Sequence, residues 1–389
     1  MDFSNLTVGF DGKRASTNNT GLGNYSRLVV DVLSESGEMN LRLYTPRPSA
    51  AGERIQPLLK RVNVQLAGPT RHLLPDLWRV YGGLTEQLRA DRVGLYHGLS
   101  NELPLDIAKA GIPTVVTIHD AIFHRCPENY HLIDRKIYDL KWRRAIAAAT
   151  RVIAISDCTR RDIMELYGAD PAKIDVVYQG CDPIFRPVDP GRIAAVRAEY
   201  RLPERFIVSV GTLEPRKNQM LALRALDRLP ADVKLVLVGR GRQSYDRTLL
   251  AEAERMGVAD RVMQIGGVPF DKLPAMYGAA TVSAYTSRYE GFGLPVIEAL
   301  SVGVPVVAAK GSCLEEAGGK GALYVDPDDV KGFAEAANAL LDNDGLRRQL
   351  IADGQAHVAR FNRDNFRKGL LDSYEHAFED FNRVERRKK

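Results

Sequence analysis

Short runs of aliphatic and β-branched residues alternate with longer stretches of helical periodicity along most of this chain. Such alternation is the pattern of parallel strands joined by crossover helices. In the first half the runs predict strands at Leu6–Phe10, Leu41–Tyr44, Val62–Leu66, Val93–Tyr96, Thr114–Ile118, Val152–Ile155 and Ile174–Tyr178. The series then restarts with Phe206–Val210, Lys234–Val238, Val262–Ile265, Thr281–Ala284, Pro305–Ala308 and Ala322–Val325. Between the two sets, Gln179–Pro190 carries three prolines in eight residues from Pro183, which sets a boundary near Pro187. The expected division is therefore 1–187, 188–364 and a closing segment 365–389. That last segment holds a helix over about Asn365–Phe378 and a basic tail of Arg383, Arg386, Arg387, Lys388 and Lys389. The fold class expected is α/β, with two Rossmann-like doubly wound domains facing across a cleft. Ligands of such sheets bind outside the carboxyl ends of the strands.

Composition narrows the picture without redirecting it. A chain of 389 residues exceeds one ordinary core and suits two domains of about 180 residues each. A net charge of +5 is compatible with an anionic ligand or an anionic membrane surface, and is too small to argue for nucleic acid. The four cysteines, Cys126, Cys158, Cys181 and Cys313, form no C-x-x-C pair and read as reduced thiols of a cytoplasmic protein. The start of the chain lacks the layout of a secretory signal, and no apolar run approaches the roughly 18 residues of a spanning helix. The expectation is a cytoplasmic protein, with room for peripheral contact with the inner membrane.

The strongest chemistry lies at two predicted strand ends of the second half. Ser287-Arg-Tyr-Glu-Gly-Phe-Gly-Leu-Pro-Val-Ile-Glu298 sets Glu290 and Glu298 on either side of a turn that runs into a helix led by Pro295. Gly291 and Gly293, with Phe292 and Leu294 in the same turn, can aim amides at a diphosphate, which also gains from the helix dipole. Glu298, about one turn into the helix, can accept hydrogen bonds from a ribose diol, while Glu290 faces the sugar or its leaving oxygen. Acids that merely offset the dipole in an ordinary loop are the alternative. In Val210–Gln219, Gly211 gives the turn close backbone approach, and Arg216 and Lys217 stand at a predicted helix start. Cations oppose the dipole there unless an anion compensates, which points to phosphate.

Other candidates are spread over both halves. Asp11–Ser26 joins the first strand to the first helix, and Gly21 and Gly23 can bring amides onto a phosphate or sugar; a mobile surface loop reads equally well. His119 and Asp120 end the strand Thr114–Ile118, where they can bond a sugar hydroxyl and an acceptor hydroxyl, and His97 is a further candidate for the acceptor. A satisfied structural histidine is the competing reading. Gly239 permits close approach to a base or ribose. Ser312-Cys-Leu-Glu315 fits a helix capping box, and Asp326-Pro-Asp328 suits helix capping better than metal binding. Neither zinc spacing nor a P-loop pattern occurs, so no metal and no cofactor is expected.

Taken together, these residues resemble the retaining glycosyltransferases of family 4, which have the GT-B fold. The resemblance covers nearly the whole chain and is most specific at Gly211–Asn218, Ser287–Glu298 and Ser301-Val-Gly-Val-Pro-Val-Val307. It implies that Glu290 contacts the donor sugar, Glu298 binds the ribose, and Arg216 and Lys217 neutralise the diphosphate. It also implies that the loop around Gly21 approaches the distal phosphate, that His119 lies by the sugar, and that the final helix crosses back to the first domain. Many members carry an arginine directly after the glycine of the first motif; Thr212 stands there in this chain, which leaves the roles of Arg216 and Lys217 undivided. Gly-Thr-Leu-Glu-Pro-Arg-Lys-Asn is similar to the wording in bacterial mannosyltransferases that build surface polysaccharides. The resemblance thus implies a GDP-mannose donor and a saccharide or lipid-linked acceptor. A UDP-sugar donor, a non-catalytic nucleotide-sugar sensor, and an epimerase or phosphorylase of the same fold are the rival readings. Pro69–Tyr81 mixes basic and bulky apolar residues, and either meets an anionic lipid surface or is an ordinary helix packed on the core.

Overall fold

Each strand of the computed structural model pairs in parallel, and the strands sort into two sheets. The structure describes residues 2–69, 78, 83–241 and 244–388. One unit comprises Met1–Ala121, His131–Gln179 and Arg363–Lys389; the other comprises Ile122–Tyr130 and Gly180–Asn362.

The first sheet contains β1 (Thr7–Asp11), β2 (Asn40–Tyr44), β3 (Val64–Ala67), β4 (Leu95–Gly98), β5 (Thr114–Ile118), β6 (Arg151–Ala154) and β7 (Ile174–Val176) in the order β3-β2-β1-β4-β5-β6-β7. The second contains β8 (Phe206–Val210), β9 (Lys234–Val238), β10 (Val262–Ile265), β11 (Val282–Tyr285), β12 (Val306–Ala309) and β13 (Ala322–Val325) in the order β10-β9-β8-β11-β12-β13. Every one of these strands falls within two residues of the run that predicts it. The agreement has a physical source: helices cover both faces of a parallel sheet, so its inner strands are apolar almost continuously. All five residues of β5 and all four of β12 are buried accordingly. β4 begins two residues late because Val93 is still in the turn that follows Arg92, whose φ is 52°.

In both sheets the winding direction reverses beside the first strand, between β1 and β4 and between β8 and β11. This switch point is where an open parallel sheet splays its loops apart and receives a ligand. The helix Arg363–Lys388 packs on the helix Gly21–Ser34 and on β5 and β6, within the first unit. Arg363 pairs with Asp31 at 2.7 Å and with Glu35, and Arg151 pairs with Asp175 and with Asp380 at 3.1 Å. Of the basic and apolar segment Pro69–Tyr81, only Pro69 and Trp78 belong to the described residues. The Trp78 ring is buried in a cluster with Tyr44, Leu84 and Leu88.

Candidate active site

The two motifs of the second unit meet at its switch point. Gly211–Asn218 follows β8, Thr286–Gly293 follows β11, and the strands are neighbours, so both loops leave the sheet side by side. Hydrogen bonds join them: the Arg288 amide donates to the Arg216 carbonyl at 2.9 Å, and the Thr286 hydroxyl to the Asn218 carbonyl at 2.8 Å. Gly211 needs its lack of a side chain, because its φ is +140°. Gly239 is required for a different reason from the expected approach to a base. A Cβ there would lie 1.9 Å from the Gly211 carbonyl oxygen, so this glycine lets two strand-end loops touch.

A charged cluster sits between these loops. Glu290 is buried, and its Oε1 accepts from Lys217 Nζ at 2.5 Å, Arg216 Nη1 at 2.8 Å and the Tyr285 hydroxyl at 3.0 Å. Lys217 also donates to the Tyr285 hydroxyl. Arg216 reaches the Tyr289 carbonyl at 2.5 Å and Glu214 at 2.6 Å. Burial alone would raise the Glu290 carboxyl, but Lys217 and Arg216 outweigh it and hold the group down to about 2. The same partners, Glu290 and Glu214, push the Arg216 guanidinium upward against its burial. Two cations thus face two carboxylates. The expectation that an outside anion must compensate Arg216 and Lys217 is corrected here, since the chain compensates them itself and the helix they precede, Gln219–Arg224, has only six residues. Tyr285 and Glu214 carry no motif of their own in the sequence; their signal is position, one ending the strand before the Glu290 loop and the other standing two residues before Arg216.

The turn beyond Glu290 opens the helix Leu294–Val302 from Gly293, whose φ is +98°, with Pro295 at its second rather than its first position. No side chain caps this N-terminus. The Phe292 ring is not free for a ligand: it is buried edge-on against Phe361 at 5.3 Å. The Cys313 thiol donates to the Glu290 carbonyl at 3.2 Å, which ties the loop after β12 to the same place. The expected capping box of Ser312 and Glu315 does not form there. The Glu315 carboxylate accepts from the Gly311 amide at 3.1 Å, but Cys313 occupies the cap position and the Ser312 hydroxyl has no partner among the described residues. The helix Val330–Asp342 is capped by Asp329, one residue beyond Asp326-Pro-Asp328, through the Gly332 amide at 2.8 Å, while Asp328 pairs with Arg288.

One turn into the helix Leu294–Val302, Glu298 accepts from the Tyr277 hydroxyl at 3.0 Å. Burial pushes its carboxyl up to about 7, with the Tyr277 hydrogen bond acting against the rise. The two glutamates of one motif are therefore electrostatically opposite, one fixed as an anion and the other titrating near neutrality.

The switch point of the first unit has another character. His119 follows β5; its Nε2 lies 2.8 Å from the Leu99 carbonyl, its amide donates to Asn101 Oδ1 at 2.8 Å, and Tyr25 packs edge-on at 4.6 Å. Burial lowers the His119 imidazole to about 4, with the Leu99 carbonyl opposing and the charge of Arg14 assisting. It is a neutral ring held by its Nε2–H. Asp120 comes next in the chain and is half-buried. His97 is corrected as an acceptor ligand. It is fully buried, its Nδ1 lies 2.8 Å from the Tyr374 hydroxyl and its Nε2 2.8 Å from Thr117 Oγ1, so both ring nitrogens are occupied. Gly21 opens the helix Gly21–Ser34 with open space before it, whereas a Cβ on Gly23 would lie 2.0 Å from the Asn18 carbonyl oxygen; Gly23 is thus needed by the chain's own packing. Among the described residues no cluster of His, Cys, Asp and Glu suits a metal ion, and no helix is long and apolar enough to cross a membrane.

Comparison with known proteins fits this geometry. Residues 195–357 match the model for glycosyl transferases group 1, and residues 20–185 that for glycosyltransferase family 4. The chain is 31% identical to O-antigen chain mannosyltransferase B of Escherichia coli over 285 residues, 72% of this chain and 74% of that one. It is 36% identical to D-inositol 3-phosphate glycosyltransferase of Acidothermus cellulolyticus over 60% of this chain, spanning about half (54%) of that enzyme. Anabaena HepE, solved with UDP and glucose, superposes with a TM-score of 0.75 at 20% identity over 95% of this chain and 99% of its own. Sucrose-phosphate synthase from Thermosynechococcus elongatus gives 0.73 at 20% identity over 96% and 99%. With two Rossmann-like units and these relatives, the chain belongs to glycosyltransferase family 4 and has the GT-B fold.

Proposed function

We propose that the chain moves a hexose, mannose from GDP-mannose, onto a hydroxyl of a saccharide or lipid-linked saccharide acceptor, with retention at the anomeric carbon. The observation that carries this reading is the convergence of Lys217, Arg216 and Tyr285 on Glu290 beside the uncapped N-terminus of the helix Leu294–Val302. As the bond to the diphosphate breaks, negative charge grows on the leaving group. Lys217 and Arg216, whose charge Glu290 and Glu214 balance within the chain, are N–H donors held in place for it, the helix start adds the positive end of its dipole, and because Glu290 already orders both cations, little reorganisation is needed at that moment. Glu290 lies beside the transferred sugar, Glu298 holds the ribose diol as a carboxylate, and Gly211 leaves room for backbone approach. His119 is neutral and gives its Nε2–H to the Leu99 carbonyl, so it meets a sugar hydroxyl as an acceptor, at Nδ1, and moves no proton as an imidazolium. The donor phosphate itself takes the acceptor proton on the face from which it leaves, so no covalent glycosyl-enzyme forms. The mannose preference rests on the O-antigen mannosyltransferase of E. coli and on the wording of the Gly211–Asn218 motif.

The test is mass analysis of a reaction with GDP-mannose and saccharide acceptors. Release of free GDP together with an acceptor heavier by one hexose supports the reading. An isomeric nucleotide sugar, a requirement for inorganic phosphate, or turnover only with UDP sugars contradicts it.

A further inference from the structure

The helix Leu132–Ala148 of the first unit has apolar residues on both of its sides. Trp142, Ala145 and Ile146 are buried and explain why it packs on the sheet. They do not explain the opposite side, where Ile133 is 73% exposed, Ile137 46% and Leu140 50%, with Leu132 at 70%. Ile133, Ile137 and Leu140 recur at helical spacing, so they share one outward stripe. On a helical projection Lys136 and Arg143 fall on one flank of that stripe, Arg144 within it and Lys141 on the other flank, with Asp134 and Asp139 toward the edges of the packed face. Arg143 lies 3.6 Å from Asp139 and Lys141 3.4 Å from Glu102, both pairs being solvent-screened; Lys136 and Arg144 have no carboxylate within reach among the described residues. Large aliphatics gathered on a surface mark a docking face, and isolated ones do not.

We infer that this face seats the protein on an anionic lipid bilayer, with Ile133, Ile137 and Leu140 entering the headgroup boundary and Lys136, Lys141, Arg143 and Arg144 meeting lipid phosphates. The occupant follows from charge as well as apolarity. A second copy would bring the same four cations against these, whereas an anionic leaflet complements all of them. The inference stands apart from the donor assignment, because it uses none of the residues assigned to chemistry.

Co-sedimentation of the full chain with vesicles tests it. Binding to phosphatidylcholine vesicles containing phosphatidylglycerol, and far less to phosphatidylcholine alone, is the expected result, and it weakens as salt is raised. Lys136→Ala and Arg144→Ala each weaken binding about 5-fold. The triple variant Ile133→Ser, Ile137→Ser, Leu140→Ser loses binding while its melting temperature holds, since the three side chains are exposed. Equal sedimentation of the triple variant, no preference for the anionic vesicles, or a dimer in light scattering that the triple variant dissolves would each overturn the proposal.

Discussion

The two units share a strand order and a switch point, yet they furnish that point in opposite ways. The second places charges there, Arg216, Lys217, Glu214 and Glu290, each held by a partner of the other sign. Beside the buried Asp11 carboxyl, which accepts from Ser100 Oγ at 3.3 Å, the first sets neutral groups in a chain that runs from Tyr374 through His97 and Thr117 to the Tyr25 hydroxyl, 3.2 Å from Thr117, and so to the ring packed on His119. Topology therefore decides where a site lies and side chains decide what it can do. A prearranged field suits a diphosphate that gains charge. A buried, neutral network suits a ring held in one tautomer, His119 with its N–H on the Leu99 carbonyl and Nδ1 as an acceptor, because charging any member is opposed by burial.

The contrast breaks most visibly at Glu290. Glu290→Ala should lower turnover about 10²- to 10³-fold with little change in donor KM, the scale of losing one preorganised electrostatic partner. Steady-state kinetics with GDP-mannose checks this, and a change confined to KM would move Glu290 out of the reacting centre. In the first unit the largest effect should fall on stability instead. His97→Ala takes a partner from both the Thr117 and Tyr374 hydroxyls, leaves Thr117 only its bond to Tyr25, and opens a cavity, at a cost of about 2–4 kcal/mol in a denaturant titration.

The pH response sharpens the comparison further. Free Glu298 titrates at about 7, above the ordinary carboxyl value, so the stability it contributes is fully present below about 4.5 and is lost as pH rises through 7. A ribose diol favours the carboxylate. Nucleoside diphosphate affinity should therefore rise between about pH 6 and pH 8, by at most about ten-fold per unit, and titration calorimetry of Glu298→Gln should show that rise flattened. Glu290, held at about 2, adds nothing over this range, and its contribution is lost only as pH falls from about 4.5 toward 2. The smallest effect belongs to Tyr374→Phe, which removes one hydroxyl from His97 and should cost about 1 kcal/mol in the same denaturant titration, with turnover nearly unchanged.

The strands were legible because burial on both faces writes them as apolar runs, and the Glu290 and Lys217 loops because strand ends are where a parallel sheet exposes its turns. Partners distant in sequence were not legible. Nothing local marks Tyr277 as the donor to Glu298 or Cys313 as the donor to the Glu290 carbonyl, and the sequence could not tell a histidine with both nitrogens occupied, His97, from one facing a ligand, since both end parallel strands. Gly239, expected to let a base or ribose approach, and Gly23, expected to turn its amide to a phosphate or sugar, share a related gap: the group that approaches each glycine is the chain's own carbonyl, which no local pattern announces. The outward face of the helix Leu132–Ala148 is not legible in the sequence because apolar residues on two sides blur the periodicity that marks a single face.

The donor assignment is tested most directly by thermal unfolding of the intact chain with GDP-mannose, run beside Lys217→Ala. A ligand that binds only the native state at a hundred times its Kd adds about 2.7 kcal/mol. The melting temperature should rise with GDP-mannose and with GDP, and much less in the variant. No rise with either guanine ligand, or an equal rise when Lys217 is removed, would contradict the assignment.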